Sequence, residues 1–206
     1  MKTSKRDWLI IGGLLLLALV PSAAGAFRLT QLAGKAETAE NARYLASPAP
    51  VVLHVLSAAL FSCLGAFQFA PGFRAAWPRW HRRLGAVLIV AGALAALTGL
   101  WMTVYYPWAN FDGIGVYYVR LTAGTLMLSF ILLSVNSIRT RDFTRHGHWM
   151  IRAYALGMGA GTQVLTHLPW VFFPSLQGEL SRLIFMTAGW ALNVIFAEWV
   201  IRRPST

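Results

Sequence analysis

The chain has 206 residues, of which 57% are hydrophobic and only 12% charged, and its 18 Lys and Arg against 7 Asp and Glu give a formal net charge of +11. A water-soluble domain carries about 25% charged residues, so a soluble enzyme is excluded. The cations sit in short stretches between apolar runs, where they orient membrane spans rather than grip nucleic acid. The single cysteine, Cys63, lies inside an apolar run, so the chain has no disulfide framework.

Apolar runs of about twenty residues recur, the length a helix needs to cross a bilayer. The first covers residues 8–27 behind a basic N-terminus. Its short apolar core and the small residues at 22–26 also fit a cleaved signal peptide. A mixed polar loop follows, and the second run covers 48–70. Residues 71–83 (PGFRAAWPRWHRR) are basic and rich in tryptophan, the composition of an interfacial segment. The third run, 84–105, places Gly85, Gly92 and Gly99 seven residues apart, a smooth seam for a close neighbour. An aromatic loop leads to the fourth run at 117–138. The basic stretch 139–148 precedes the fifth at 149–170, and after a short turn the sixth covers 180–201.

Alternating six spans puts 13 of the Lys and Arg on one side and five on the other, namely Arg28, Lys35, Arg43, Arg120 and Arg182. The crowded side is cytoplasmic by the positive-inside rule, and a five- or seven-span count would scramble the asymmetry. Only helices or closed barrels satisfy every backbone group in lipid. The expected fold is therefore an all-α six-helix transmembrane bundle. It forms a single domain with both termini cytoplasmic.

Polar groups inside spans face the bundle interior. On the second run His54, Ser57, Gly65 and Gln68 fall within about 60° of one another at 100° per residue. On the fifth, Arg152, Gly159, Gln163 and Thr166 form a similar stripe with His167 beside it. The sixth carries Asn193 near mid-depth and Glu198 at the depth of Arg152. An unpartnered charge in the membrane is costly, so Arg152 and Glu198 are expected to pair, which fixes helix register as readily as it serves chemistry.

By depth, His54 and His167 belong to the outer end and His81, His146 and His148 to the inner. Two imidazoles from separate helices at one depth are what a bis-histidine haem b requires. Gly65, Gly157, Gly159 and Gly161 would open its slot, Arg120 or Arg152 would meet its propionates, and Gln68 shares the His54 face. His148 and His167, on one helix, point about 100° apart. For a metal ion the candidate ligands are His54, His81 and His146, and a zinc hydrolase would use His81, His146 and Glu198 at the inner face. No His-x-x-x-His or His-Glu-x-x-His spacing accompanies them. Trp101, Tyr105, Tyr106, Trp108, Tyr117 and Tyr118 at the outer end, and Trp77, Trp80 and Trp149 at the inner, read as interfacial belts or as a quinone or lipid groove. Three functions follow from these patterns. One is a haem-binding redox protein exchanging electrons with a quinone. Another is a non-enzymatic small transporter or accessory subunit of a membrane complex. The third is an intramembrane metal-dependent hydrolase.

Several short motifs recur together: Leu53–His54, Gln68–Phe69, PRWHRRLG at 78–85, RHGHWMIRAYAL at 145–156 and NVIFAEW at 193–199. In this combination the chain resembles a bacterial integral-membrane family catalogued as a domain of unknown function. The resemblance implies His54, Gln68, His81, His146, Arg152, Asn193 and Glu198 as the shared polar set. Gly147 and His148 stand where that pattern is basic, Val164 and Leu165 stand where it carries an arginine, and His167 is peculiar to this chain. The layout is also similar, more distantly, to the ascorbate-dependent transmembrane cytochromes b, which implies histidines on successive helices.

Overall fold

The structure, a computed structural model, describes residues 3–34, 37–38 and 41–203. Lys2 and Lys35, both used in the charge count above, lie outside the described residues. Every regular element among the described residues is helical. In chain order these are α1 (Lys5–Gly34), α2 (Ala42–Ala46), α3 (Pro48–Gly65) running on into a 3-10 turn (Ala66–Phe69), α4 (Pro71–Ala76), α5 (Pro78–Tyr105) and α6 (Ile114–Arg139). Then come α7 (Phe143–Gly157), α8 (Gly159–Thr166), α9 (Leu168–Phe172), a 3-10 turn (Pro174–Leu176) and α10 (Glu179–Arg202). Prolines open α3, α4 and α5, where the missing N–H has no intrahelical partner to lose.

Among the described residues, five helices are long and apolar enough to cross a membrane: α1, α3 with its 3-10 extension, α5, α6 and α10. Several reach beyond the apolar runs. Residues 78–83, expected in an interfacial loop, are the first turns of α5, and 143–148 open α7. Hydropathy stops at the membrane boundary, whereas the intrahelical hydrogen bond does not.

The fifth apolar run, expected as one helix over 149–170, is instead divided into α7, α8 and α9 by breaks at Met158 and His167. Gly157, Gly159 and Gly161 surround the first break, and glycine weakens a helix by about 1 kcal/mol per residue against alanine. At Met158 the ladder tightens, with Gly161 N–H bonding Met158 O at 3.0 Å. The second break precedes Pro169, which has no N–H to donate.

Glycine notches set the packing. Gly99, Gly92 and Gly85 of α5 receive His54, Phe61 and Gln68 in turn. One seven-residue series thus meets another in antiparallel register, His54 at one end of the interface and Gln68 at the other. Phe61, 2% exposed, fills the centre and also lies against Gly157 of α7. Tyr154 lies over Gly65, and its hydroxyl donates to Ser62 O at 2.6 Å.

Helix α1 is packed into this bundle. Its Ile11 and Ala18 are buried, its Gly25 lies under Val55 of α3, and the Leu17 carbonyl lies against Gly161 of α8. Asp7 at its start accepts the Gly72 N–H of α4 at 2.9 Å.

The α1–α8 contact leaves no room for a methyl group. Gly161→Ala is expected to destabilise by roughly 1–3 kcal/mol, the usual cost of overpacking. Gly147→Ala, whose added carbon meets nothing within 4 Å, is expected to stabilise α7 by up to about 1 kcal/mol. Thermal unfolding of the two purified variants checks the pair. Equal stabilisation of both would show that α1 does not seat on α8.

Candidate functional site

The divided helix is bound along its length to α10 by side chains. Near one end Arg152 makes a two-pronged bond to Glu198, Nε to Oε1 at 2.5 Å and Nη2 to Oε2 at 3.0 Å. Its guanidinium also lies 4.7 Å over the Trp149 ring. At the break, Asn193 Nδ2 donates to Ala155 O at 3.0 Å and Trp190 Nε1 to Leu156 O at 3.1 Å. Thr162 then donates to Asn193 Oδ1 at 2.7 Å. Farther on, Gln163 Nε2 reaches Met186 O at 3.1 Å and Thr166 reaches Phe185 O at 2.7 Å. Trp170 donates to Ser181 at 3.0 Å. The carbonyls that the break disturbs are thus satisfied by side chains of α10.

The outer end is organised by Asp112, a residue the sequence reading passed over. It sits in the aromatic loop directly after Phe111, whose φ of 63° is left-handed. That turn brings the carboxylate inward, where its side chain is 2% exposed. Arg120 Nη1 of α6 bonds it at 2.6 Å and Arg182 Nε of α10 at 2.5 Å. Arg120 was expected as a candidate partner for a haem propionate; in the structure it bonds Asp112. A carboxylate in a loop lacks the periodic signal that marks a buried span residue, so only its scarcity among 7 acidic residues pointed to it.

His54 is bonded within the α3–α5 interface, its Nδ1 lying 3.0 Å from Ala95 O and 3.2 Å from Thr98 Oγ1. A carbonyl only accepts, so Nδ1 carries the proton in that bond. His167 lies elsewhere, with Nδ1 2.8 Å from Gln163 O and its ring against Trp170 and Phe185. The two outer imidazoles thus serve different helix pairs. The haem slot expected at the glycines is filled. Tyr154 occupies Gly65, Phe61 Gly157, Trp190 Gly159 and Leu17 Gly161.

At the inner end, His146 of α7 lies 2.6 Å from the Ser134 hydroxyl of α6 through Nδ1. A tight turn makes this possible. Arg141 takes a left-handed φ of 60°, Asp142 N–H bonds Ser137 O at 2.9 Å, and Asp142 caps α7 through the Arg145 N–H. His81 of α5 is within electrostatic reach of His146, Arg74 and Arg82, and His148 is within reach of Glu198. Three buried nitrogens around this end, Gln68 Nε2, His81 Nδ1 and Trp149 Nε1, have no hydrogen-bond partner among the described residues.

The expected metal ligands do not converge. His54 sits at Gly99, whereas His81 lies 18 residues earlier on α5, about 27 Å away along a helix axis. Glu198 is engaged by Arg152, and His146 by Ser134. Among the described residues no group of three His, Cys, Asp or Glu could hold a metal ion.

Burial pushes the Asp112 carboxyl up, but its two arginines outweigh this and hold it below the ordinary carboxylate value. Its contribution to stability is full above that ordinary value and is lost as pH falls through the lowered one. Asp112→Asn is therefore expected to cost about 1–3 kcal/mol at neutral pH, between the values for exposed and buried pairs. The gap from wild type should begin to narrow below about pH 4, where the unfolded carboxyl protonates, and close only at lower pH, once the folded carboxyl is protonated as well. Melting curves against pH read both, and a gap independent of pH would remove the ionic role.

A family profile described as a predicted membrane protein (DUF2306) matches residues 51–201. No curated protein and no solved structure matches the chain.

Proposed function

The chain belongs to the DUF2306 family of membrane proteins, and from its geometry we propose that it is a non-enzymatic multi-pass protein, a small transporter or an accessory subunit, whose working part is the divided helix α7–α9 against α10. On this reading α7–α9 is the sixth crossing, since its contacts follow α10 from Glu198 to Ser181. The charge asymmetry supports cytoplasmic termini and a bacterial inner membrane.

One observation carries the reading. The break at Met158 lies between two helical segments, and its carbonyls are held by Asn193 and Trp190. Side-chain bonds can exchange partners in a way that a continuous helical ladder cannot. Discontinuous helices near the midplane are a recurring device of carriers, where one segment rocks against another. Met158 is the joint, and the Arg152–Glu198 pair fixes the inner segment while Thr166 and Gln163 fix the outer.

The competing redox reading needs a b-type haem and a quinone. Against it weigh the filled glycine notches and the engagement of His54 and His167 with backbone carbonyls. Among the described residues the hydrolase reading finds no convergent ligand set.

Two measurements decide among these. Protein purified from haem-replete cells is expected to give no Soret band; a band that disappears in His54→Ala would overturn the proposal in favour of haem. Amide exchange at residues 157–161 is expected to outpace that at mid-α5, and to quicken several-fold in Asn193→Ala. Protection equal to mid-α5 in both proteins would mark a rigid scaffold and sink the hinge.

A further inference from the structure

The end of the bundle at α4 carries buried polar groups that the hinge does not use. Gln68 comes from the 3-10 turn after α3. Its Oε1 lies 3.7 Å from where a side chain on Gly85 would begin. His81 is four residues before Gly85 on α5, one helical turn away on the same face. The amide and the imidazole therefore share one stretch of the α3–α5 interface. Gln68 Nε2 and His81 Nδ1 are both buried and both without a hydrogen-bond partner among the described residues.

A buried polar group left unbonded costs about 1–3 kcal/mol, and native proteins seldom leave one so. Two such groups a turn apart define a place where something else supplies the bonds. Gln68 Nε2 carries two N–H donors and no acceptor, and His81 Nδ1 donates in one tautomer, so the missing partner is an acceptor. The surroundings set its charge. Arg74 of α4 lies within electrostatic reach of both His81 and His146, and Arg82 of His81. Glu198, the carboxylate of this end of α10, is engaged by Arg152. Asp7, the carboxylate of α1 that faces α4, is engaged by Ser4 and Gly72. Asp142 caps α7 through the Arg145 N–H, so these unbonded donors lie in a predominantly positive field at the basic end of the bundle.

We propose that Gln68 and His81, in the field of Arg74, form a binding site for a phosphate-type oxyanion, supplied by an anionic phospholipid headgroup or by the free ion. The amide and the imidazole donate to its oxygens, and Arg74 balances its charge. The site stands independently of how α7–α9 works.

The full-length protein is placed in phosphatidylcholine nanodiscs and its unfolding temperature followed in two arms. One arm exchanges phosphatidylglycerol into the disc, and the other adds inorganic phosphate. The wild type is expected to be stabilised in a saturable way by at least one of them. Gln68→Glu, the same shape with a negative charge, is expected to weaken that response at least tenfold. His81→Gln is expected to weaken it too, and covers the case in which Gln68→Glu does not fold. Arg203→Gln, a surface change at the same end, is expected to respond like wild type. Response to the lipid alone assigns a headgroup; response to both, or to inorganic phosphate alone, assigns the anion itself. No response in either arm overturns the site, leaving water as the partner. So does a response that survives both pocket variants or falls equally in Arg203→Gln, which would mark general attraction to a basic surface.

Discussion

A bilayer offers no hydrogen bonds, so a helix that breaks inside it must have its freed backbone groups met by a neighbour. On the proposed sixth crossing, the break at Met158 imposes that requirement on α10. Asn193 and Trp190 meet it with two side-chain donors placed on consecutive carbonyls, Ala155 and Leu156. Much else follows from the same contact. The two-pronged Arg152–Glu198 bond sets the depth of α7 against α10, and Gln163 and Thr166 set that of α8. With α8 so placed, Gly161 receives α1, while Gly157 receives Phe61 from the α3 side. The break is thus the point at which the outer helices are tied to the central packing.

The α3–α5 interface works by a different rule. Association of helices in lipid depends on close van der Waals approach, which favours small residues opposite large ones. Here the small series Gly85, Gly92, Gly99 meets Gln68, Phe61, His54. Only the central pair is apolar. The polar members fall at the ends, where His54 reaches a backbone carbonyl and Gln68 lies beside the basic edge. The same repeat therefore explains both why Phe61 is deeply buried and why His54 needs no cofactor to justify its position.

Much of this was legible in the sequence. Apolar run length marked the five helices long enough to cross a membrane, because the membrane thickness fixes that length. The seven-residue glycine spacing marked the packing face of α5, and the equal depth of Arg152 and Glu198 placed the charges together. What could not be read was partnership across the bundle. The glycines of α7 and α8 suggested an open slot, but whether a notch is empty depends on which side chain a neighbouring helix turns toward it. Nothing in the spacing of Tyr154, Trp190 and Leu17 shows that each fills a glycine notch. Asp112 was missed for a related reason, since two non-local arginines and the backbone turn at Phe111 make it structural. The break at Met158 was also hidden, because hydropathy continues smoothly through it while helix propensity does not.

The two ends of the bundle differ in how their charge is settled. At the outer end a single buried carboxylate takes two guanidiniums from two helices, and Arg43 is tied to Pro107 O and Tyr44. The carboxylate acts as a clamp on α6 and α10, while Arg43 Nε stays without a hydrogen-bond partner among the described residues. At the inner end the carboxylates Asp7 and Glu198 are already committed, while Arg74, Arg82 and two histidines crowd around unbonded donors. Folding alone gains nothing from concentrating positive charge beside buried N–H groups, because the cations repel and the donors go unmet. An arrangement costly to the isolated chain becomes favourable once an anion enters it. The asymmetry that orients the protein in the membrane thus also marks its inner end, rather than the histidine-bearing outer one, as the end open to a ligand.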